Sequence, residues 1–138
     1  MGLPSNALAE SVAGYARAMP VDDDLAAIEA AQEVRIETRA ADGTVHRTII
    51  WVVVEDGRIY IRSVNGATAR WYREAGARPD IALHVGRERL PFHAVPATDA
   101  RSIAACSAGL ERKYRGSYSV RAMVAPSVLD TTLRLDPA

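Results

Sequence analysis

The chain has 138 residues, of which 49% are hydrophobic and 25% charged, values typical of a single globular domain. Its 17 basic and 17 acidic residues give a formal net charge of zero, which argues against binding nucleic acid through bulk positive charge. The charge is unevenly distributed: eight acidic and three basic residues give 1–42 a net charge of −5, and nine acidic and fourteen basic residues give 43–138 a net charge of +5. All the bases except Lys113 are arginines, which suit forked contacts with phosphate or carboxylate groups.

Several classes of protein are disfavoured by what the sequence lacks. A single cysteine, Cys106, excludes an internal disulfide and a cysteine-based zinc site. The N-terminal residues do not resemble a secretory signal, and no apolar run approaches the roughly 20 residues of a membrane span. We therefore expect a cytoplasmic protein without a membrane partner. The phosphate-loop, dinucleotide-binding, serine-hydrolase and zinc-protease motifs are also missing, which disfavours kinases, hydrolases and metalloenzymes.

The first 32 residues are predicted to be helical. Apolar residues recur at helical spacing behind Ser5, a good N-cap, and a second helix is expected to begin at the three aspartates of 22–24. Three consecutive carboxylates invite a metal-binding interpretation. Their place at a helix N-terminus, where negative charge favours the helix dipole, supports a structural role instead.

From Glu33 onward the hydrophobic period changes from that of a helix to that of a strand. We predict strands over 33–39, 44–54 and 58–63, separated by tight turns at Asp42-Gly43 and Asp56-Gly57. The end of the second strand, 49–54, is apolar on both faces. A helix or a second subunit is therefore expected to cover its outer face.

The second half of the chain predicts three more strands and two helices. A short helix over 67–75 precedes a hairpin of 81–85 and 89–95, in which Pro91 indicates an edge or a bulge. A longer helix over 99–114 places Cys106 and Tyr114 on its apolar face, and a closing strand follows at 131–135. The three histidines, His46, His84 and His93, fall on separate strands without metal-ligand spacing. The pattern thus predicts one domain over 1–138, mainly β with peripheral helices, built as a six-stranded antiparallel barrel over 33–138.

One segment carries the polar groups of a binding site. Pairing about the Asp56-Gly57 turn is expected to bring the strand with Arg47 and Thr48 beside the strand that ends at Arg62 and Ser63. Two guanidiniums, two hydroxyls and the N–H groups of a helix start would then converge, as in a phosphate pocket. The alternative is that both arginines are solvated strand residues and that Trp71 belongs to the core.

A family resemblance rests on the same segment. Its motif residues are Arg47-Thr48-Ile49-Ile50-Trp51, Asp56-Gly57, Ser63, Asn65-Gly66-Ala67, Arg70-Trp71-Tyr72 and Pro79. This pattern resembles the split β-barrel flavin and deazaflavin proteins, above all the deazaflavin-dependent nitroreductase and quinone-reductase family and an uncharacterised bacterial branch. The tail, from Lys113-Tyr114-Arg115 to Thr131-Thr132-Leu133-Arg134, is similar to that branch in particular. The layout is more distantly similar to pyridoxamine phosphate oxidase.

The resemblance implies a homodimer that holds FMN or a deazaflavin coenzyme at the barrel wall and acts on a small quinone, nitro or enone substrate. The cofactor would supply the hydride chemistry and the protein the orientation and charge. The predicted cofactor-binding residues are Arg47, Thr48, Arg62, Ser63, Asn65, Gly66, Arg70, Trp71 and Tyr72, with Trp71 packed inward and Tyr72 bordering the site. Tyr118, in the loop after the long helix, is the candidate catalytic residue, as a proton donor to the substrate; Tyr114 is the alternative, although its helical face indicates a core position.

Two departures from the family pattern keep a second hypothesis open. The deazaflavin reductases carry a Gly-Arg-Lys-Ser-Gly stretch where this chain has 40–43 with Asp42, and usually an Asn where it has Glu74. The second hypothesis is a non-catalytic barrel that binds flavin, haem or another small anionic ligand. A nucleic-acid module is disfavoured because no aromatic stripe accompanies the arginines.

Overall fold

The structure is a computed structural model that describes residues 20–138, so the predicted helix behind Ser5 lies outside the described residues. Seven strands form the sheet: β1 Val34–Arg39, β2 Val45–Ile50, β3 Val53–Glu55, β4 Arg58–Ile61, β5 Asp80–Val85, β6 Glu88–Pro96 and β7 Leu133–Pro137. The α-helices are α1 Asp22–Ala30, α2 Arg70–Ala77, α3 Ala100–Lys113 and α4 Val120–Met123. Two 3₁₀ helices cover Gly66–Thr68 and Pro126–Thr131.

The prediction of six strands was wrong because the long second strand is interrupted at Trp51–Val52. Before the break, β2 pairs with β1; after it, β3 pairs with β4 in the predicted register, Glu55 opposite Arg58. The backbone at the break bonds to side chains instead of a neighbouring strand. The Val52 N–H donates to the Tyr114 hydroxyl at 3.2 Å, and the Val52 carbonyl accepts from Lys113 Nζ at 2.8 Å.

The strands form one antiparallel sheet in the order β2-β1-β5-β6-β7-β4-β3. Its two edge strands, β2 and β3, are consecutive in the chain with only two residues between them. The edges must therefore approach each other, and the sheet curls into a split barrel. Pro91 pairs with Ala82 of β5, whereas the ladder with β7 begins at Phe92, so the missing N–H of Pro91 costs no bond to β7.

Two hydrophobic clusters lie on opposite sides of the sheet. The larger one fills the barrel and is closed by α1 and α2, through residues such as Ile28 and Trp71. The smaller one lies between the sheet and α3 and includes Val53, Cys106 and Tyr114. Helix α3 thus covers part of the apolar run at 49–54, as predicted. Ile49, by contrast, is 55% exposed.

The predictions for the three aspartates and for Cys106 are confirmed. The three aspartates form the first turn of α1, and Cys106 is fully buried, which raises the pKa of its thiol to about 11. Helix α3 is capped by Asp99, whose carboxylate accepts from the Ser102 N–H at 3.0 Å. Within residues 20–138, no three potential metal ligands cluster, and no helix is long and apolar enough to cross a membrane.

Candidate functional site

A cleft of about 450 Å³ opens where β2 bends into β3, facing the segment that follows β4. Its volume falls within the range of small-molecule sites in proteins. We call this pocket the cleft. It is lined by Glu33, Thr48, Ile49, Ile50, Trp51, Arg62, Val64, Asn65, Trp71, Ser119 and Met123. Four of the nine predicted cofactor-binding residues are therefore among its lining residues: Thr48, Arg62, Asn65 and Trp71.

Both tryptophans of the chain line the cleft. The indole of Trp51 stacks on the ring of Tyr114 with 3.9 Å between the ring centroids and 3° between the planes. Tyr114 is itself fixed, because its hydroxyl donates to the Gln32 carbonyl at 2.6 Å. Trp71 is only 7% exposed and belongs to the barrel core, as the inward packing predicted. The cleft thus has rigid aromatic walls suited to a planar ring.

A polar corner lies beside the aromatic walls. The hydroxyl of Thr48 lines the cleft and accepts a hydrogen bond from Arg70 Nη2 at 3.3 Å. Arg70 is the first residue of α2, and its preceding N-cap residue, Ala69, has no side chain that caps the helix. The helix start, the guanidinium and the hydroxyl are therefore adjacent. Such a group of donors suits an anionic substituent.

The structure surrounds Arg62 with protein acceptors, whereas the sequence predicted either a solvated strand residue or a residue that binds the ligand. Its side chain is 1% exposed, and its guanidinium donates to four protein acceptors at 2.8 to 3.1 Å: the Thr132 and Ser107 hydroxyls and the carbonyls of Met123 and Ile103. Burial lowers the pKa of this guanidinium. Arg62 therefore supports the floor of the cleft, and its N–H groups are largely occupied by the protein.

Arg47 does not converge with Thr48 on the cleft. The two are neighbours on β2, so their side chains point to opposite faces of the sheet. Arg47 instead lines a pocket of about 300 Å³ together with Arg35 and His84. Ile49 lines both this pocket and the cleft, so the two adjoin at the rim.

The loop after β4 is held by its own polar groups. The Ser63 hydroxyl donates to the Gly66 carbonyl at 2.8 Å, and the Ser63 N–H donates to the Thr131 hydroxyl at 3.0 Å. Gly66 has φ +74°, a backbone conformation that favours glycine. Ser63 and Gly66 thus shape the turn that presents Asn65 to the cleft, and the bond to Thr131 joins this turn to the second 3₁₀ helix.

Tyr72 and Tyr118 lie outside the cleft lining. Tyr72 packs edge-on against Trp71 and lines a separate groove beside Pro79. Tyr118 is 94% exposed in the loop after α3. Its neighbour Ser119 does line the cleft, so the Tyr118 hydroxyl is close in sequence to the site without being part of its wall.

The two departures from the family pattern have local structural explanations. Asp42 accepts from the Thr44 N–H at 2.9 Å in the turn between β1 and β2 and does not line the cleft. The carboxylate of Glu74 bonds to the Thr38 hydroxyl at 2.7 Å and to His46 Nδ1 at 3.0 Å. Burial alone would raise the pKa of Glu74, but these bonds and the nearby charges lower it. Glu74 thus fastens α2 to the barrel.

Other cleft residues were not predicted to belong to the site. Trp51 had a place in the motif but no assigned role, because its stacking partner Tyr114 lies 63 positions away. Val64, Ser119 and Met123 come from loops and the short helix α4, for which periodicity gives no contact information. The signal that was available is the place of Trp51 within the motif, in the middle of a continuous apolar run.

The tail motif joins the end of the chain to the cleft. Lys113 donates to the Ile28 and Val52 carbonyls, and burial lowers the pKa of its amine. Thr131 and Thr132 accept from the Ser63 N–H and Arg62 Nε. These motif residues therefore fix the two segments that form the floor of the cleft.

Solved structures with the same fold extend this description. A candidate pyridoxamine 5'-phosphate oxidase from Listeria innocua aligns with a TM-score of 0.60 and 17% identity, over 84% of this chain and 91% of that one. The haem storage protein HutZ from Vibrio cholerae aligns with a TM-score of 0.63 and 12% identity, over 87% and 92%. An F420-H2-dependent reductase aligns with a TM-score of 0.59 and 15% identity, over 76% and 94%. At these identities the likeness establishes the split-barrel fold.

The sequence comparisons identify the family. No curated protein matches the chain at a significant level. A family profile described as uncharacterized proteins conserved in bacteria, DUF2255, matches residues 24–135. This span includes the whole sheet apart from the last residues of β7, both hydrophobic clusters and every residue that lines the cleft. The chain therefore belongs to the DUF2255 family of split-barrel proteins.

Proposed function

We propose that the cleft binds FMN or a deazaflavin coenzyme and that the protein uses it to reduce or oxidise a small organic molecule of the quinone, nitro or enone type. The observation that carries this proposal is the pairing of a rigid aromatic wall, Trp51 stacked on Tyr114, with a polar corner at Thr48 and Arg70. Flavins and deazaflavins combine a planar ring with an anionic side chain. The same fold occurs in an F420-H2-dependent reductase.

The donor set of the cleft fits such a ligand. The ring system would lie between Trp51 and Trp71, where water is excluded by apolar surface. The phosphate would lie at the polar corner, where Arg70 and the uncapped start of α2 offer positive charge and N–H donors. Arg47 and Arg35, across the rim at Ile49, offer further guanidiniums to a longer anionic tail.

The protein's own part in the reaction would be to bind, orient and exclude water. A bound flavin or deazaflavin supplies hydride transfer. The stacked indole of Trp51 would fix the plane of the ring, and Ile49 and Val64, both exposed at the rim, would contact the open side of the cleft. Glu33 and Arg62 are the only ionisable residues in the described lining, and Arg62 is already bonded to protein acceptors. Proton transfer to the substrate would then come from Tyr118 or from water.

A second copy of the chain would complete this site. Ile49 and Val64 are 55% and 47% exposed, unusual for large apolar side chains beside a cleft. We propose that they lie against the partner in a homodimer, and light scattering on the purified protein would measure the mass. A monomer at working concentrations would contradict the dimer without bearing on ligand binding.

A non-catalytic ligand-binding barrel is the second candidate. It is favoured by the scarcity of ionisable groups in the described lining of the cleft, which are Glu33 and the already bonded Arg62. A haem storage protein shares the fold. Such a protein would retain FMN, deazaflavin or haem while failing to turn over quinones, nitroaromatics or enones.

The test is an equilibrium titration of the full-length protein with FMN, with the reduced deazaflavin coenzyme and with haem. Absorbance reports the ligand, and tryptophan fluorescence reports the cleft, because both tryptophans line it. Saturable binding followed by substrate-dependent oxidation of the reduced cofactor supports the enzyme. Binding without turnover supports the second candidate, and absence of binding by all three ligands contradicts both.

A further inference from the structure

A second pocket, of about 350 Å³, lies between α3 and strands β4 and β7. We call it the basic pocket. Its charged and polar lining residues are Asp56, Arg58, Tyr60, Arg101, Ser102 and Arg134. None of them lines the cleft. The lining carries three guanidiniums and one carboxylate, and the Arg134 guanidinium is also paired with Asp136, which is not a lining residue.

One buried hydroxyl in this pocket, that of Tyr60, has no hydrogen-bond partner among residues 20–138, whereas the Ser102 side chain bonds to the Asp99 carboxylate. Tyr60 is 6% exposed, so most of its side chain is enclosed by protein. Its oxygen is nevertheless not sealed, because the only fully buried polar side-chain atom without a partner in this part of the chain is Glu29 Oε1. Buried hydroxyls are ordinarily bonded, since an unmade bond costs free energy. The Tyr60 hydroxyl is therefore free to donate to a ligand in the pocket.

Two of the guanidiniums are placed near Tyr60 and Ser102. Arg134 lies directly opposite Tyr60 across the β4–β7 ladder and is held by Asp136 through two bonds of 2.7 and 2.9 Å. Arg101 precedes Ser102 in the first turn of α3, where the helix dipole also favours negative charge. Asp99 already caps the Ser102 N–H, so the ligand would be held by side chains more than by the helix start.

We propose that the basic pocket binds the phosphate group of a small phosphorylated molecule. Guanidiniums have no acceptor and stay protonated, so they select an anion, and the Tyr60 hydroxyl offers a further donor to its oxygens. The volume exceeds that of a bare phosphate ion, which leaves room for the attached organic group. The site is independent of the proposed cofactor cleft, and neither requires the other.

The experiment is an amide and indole NMR titration of the full-length protein with inorganic phosphate and with glycerol 3-phosphate, at constant ionic strength because salt screens exposed charges. Saturable shifts are expected at Arg101 and Ser102, with the indole signals of Trp51 and Trp71 unmoved. A tighter response to glycerol 3-phosphate would show that the organic group is also held. Shifts confined to the two indoles, or no saturable shift with either probe, would overturn the proposal.

Two variants locate the binding. Tyr60→Phe removes one donor and Arg101→Gln one charge, and each should weaken phosphate binding by about tenfold, the loss of a hydrogen bond to a charged group. Arg87→Gln, in the exposed turn between β5 and β6, is the matched control for charge and should leave the affinity unchanged. Equal affinities for all of these variants would place the phosphate elsewhere and contradict the proposal.

The melting temperature of Tyr60→Phe tests the proposal in the absence of a ligand. Because its hydroxyl has no partner in the described residues, the melting temperature of the free protein should not fall. Tyr114→Phe is the comparison, since that hydroxyl bonds to Gln32 and Val52 and its loss should lower the melting temperature. A fall for Tyr60→Phe as large as that for Tyr114→Phe would show that the hydroxyl already has a protein partner, and would overturn the proposed site.

Discussion

Arg62 and Arg70 were both predicted to bind the cofactor, and the structure gives them different surroundings. Arg62 is 1% exposed and donates to four protein acceptors, whereas Arg70 has half of its side chain exposed and donates at 3.3 Å to one hydroxyl that faces the cleft. The first maintains the floor of the cleft, and the second keeps donors available at its polar corner. An arginine in a binding motif is thus functional or structural according to how many protein acceptors surround it.

The same contrast separates the tyrosines. The hydroxyl of Tyr114 makes hydrogen bonds, and its ring supports Trp51. Burial raises the pKa of this hydroxyl to about 12. Tyr60 is equally buried but has no hydrogen-bond partner in the described residues. A buried polar group that has protein hydrogen-bond partners indicates a structural role, whereas one without such partners indicates a place where a ligand can bind.

The largest expected effect follows from removing the buried guanidinium. Arg62→Met should lower the free energy of unfolding by about 3 kcal/mol, because the carbonyls of Ile103 and Met123 lose their donor inside the protein. Urea denaturation followed by far-UV circular dichroism measures this loss. A change of less than about 1 kcal/mol would mean that Arg62 is not the structural member of the pair.

A second cluster of hydrogen-bonded charged groups, outside the cleft lining, extends the comparison through its pH dependence. Bidentate bonds from Arg89 and a bond from His84 lower the pKa of Glu37 to about 2, from an ordinary value of 4.5. Because the folded pKa lies below the unfolded one, the stabilisation is complete above about pH 4.5 and is lost as the pH falls toward 2.

Replacing Glu37 should therefore remove both the stabilisation and this part of its pH dependence. Glu37→Gln is expected to lower the free energy of unfolding by about 2 kcal/mol near pH 6, a figure discounted for the exposure of Arg89. The difference from the wild type should shrink as the pH falls from about 4.5 toward 2. Denaturation series at several pH values measure it, and a constant difference across that window would contradict the assigned role.

Arg70 should show the reverse pattern, a change in affinity without a change in stability. Arg70→Gln is expected to weaken FMN or deazaflavin binding by about tenfold while the free energy of unfolding stays within about 0.5 kcal/mol. Arg73→Gln, which removes the same charge from an exposed position of α2, is the matched control. Equal affinities for the two variants would remove Arg70 from the site.

The smallest effect is expected at Tyr118. Because its side chain is 94% exposed and lies outside the cleft wall, Tyr118→Phe should leave the free energy of unfolding unchanged and turnover within about twofold. Steady-state oxidation of the reduced cofactor measures turnover. A loss of about a hundredfold with normal cofactor affinity would instead assign proton donation to Tyr118.

The sequence predicted the parts of this molecule that depend on local order. Turn residues at Asp42-Gly43 and Asp56-Gly57 and the alternation of apolar residues located the hairpins and the register of β3 against β4. The family was also identifiable from its motif. What the sequence could not show is the break at Val52, because it depends on bonds to Lys113 and Tyr114, about 60 residues further along the chain.

The candidate site was predictable only in part, for a similar reason. The motif indicated Thr48, Asn65, Arg70 and Trp71, all at or beside the cleft. It could not show that Arg47 faces away from Thr48, or that carbonyls from α3 and α4 surround Arg62, since these depend on the strand face and on long-range packing. The polar residues of the motif therefore indicated where the site lies, but not what each residue does there.

The central claim is that the cleft binds a planar redox cofactor against its two tryptophans. The most direct measurement is an FMN and deazaflavin titration that follows the indole signals of Trp51 and Trp71 by NMR, in the wild type and in Arg70→Gln. Binding in the cleft predicts saturable shifts of both indoles at concentrations where absorbance shows the ligand bound, and an apparent Kd raised about tenfold in the variant. Cofactor that binds without moving either indole, or does not bind at all, would contradict the claim.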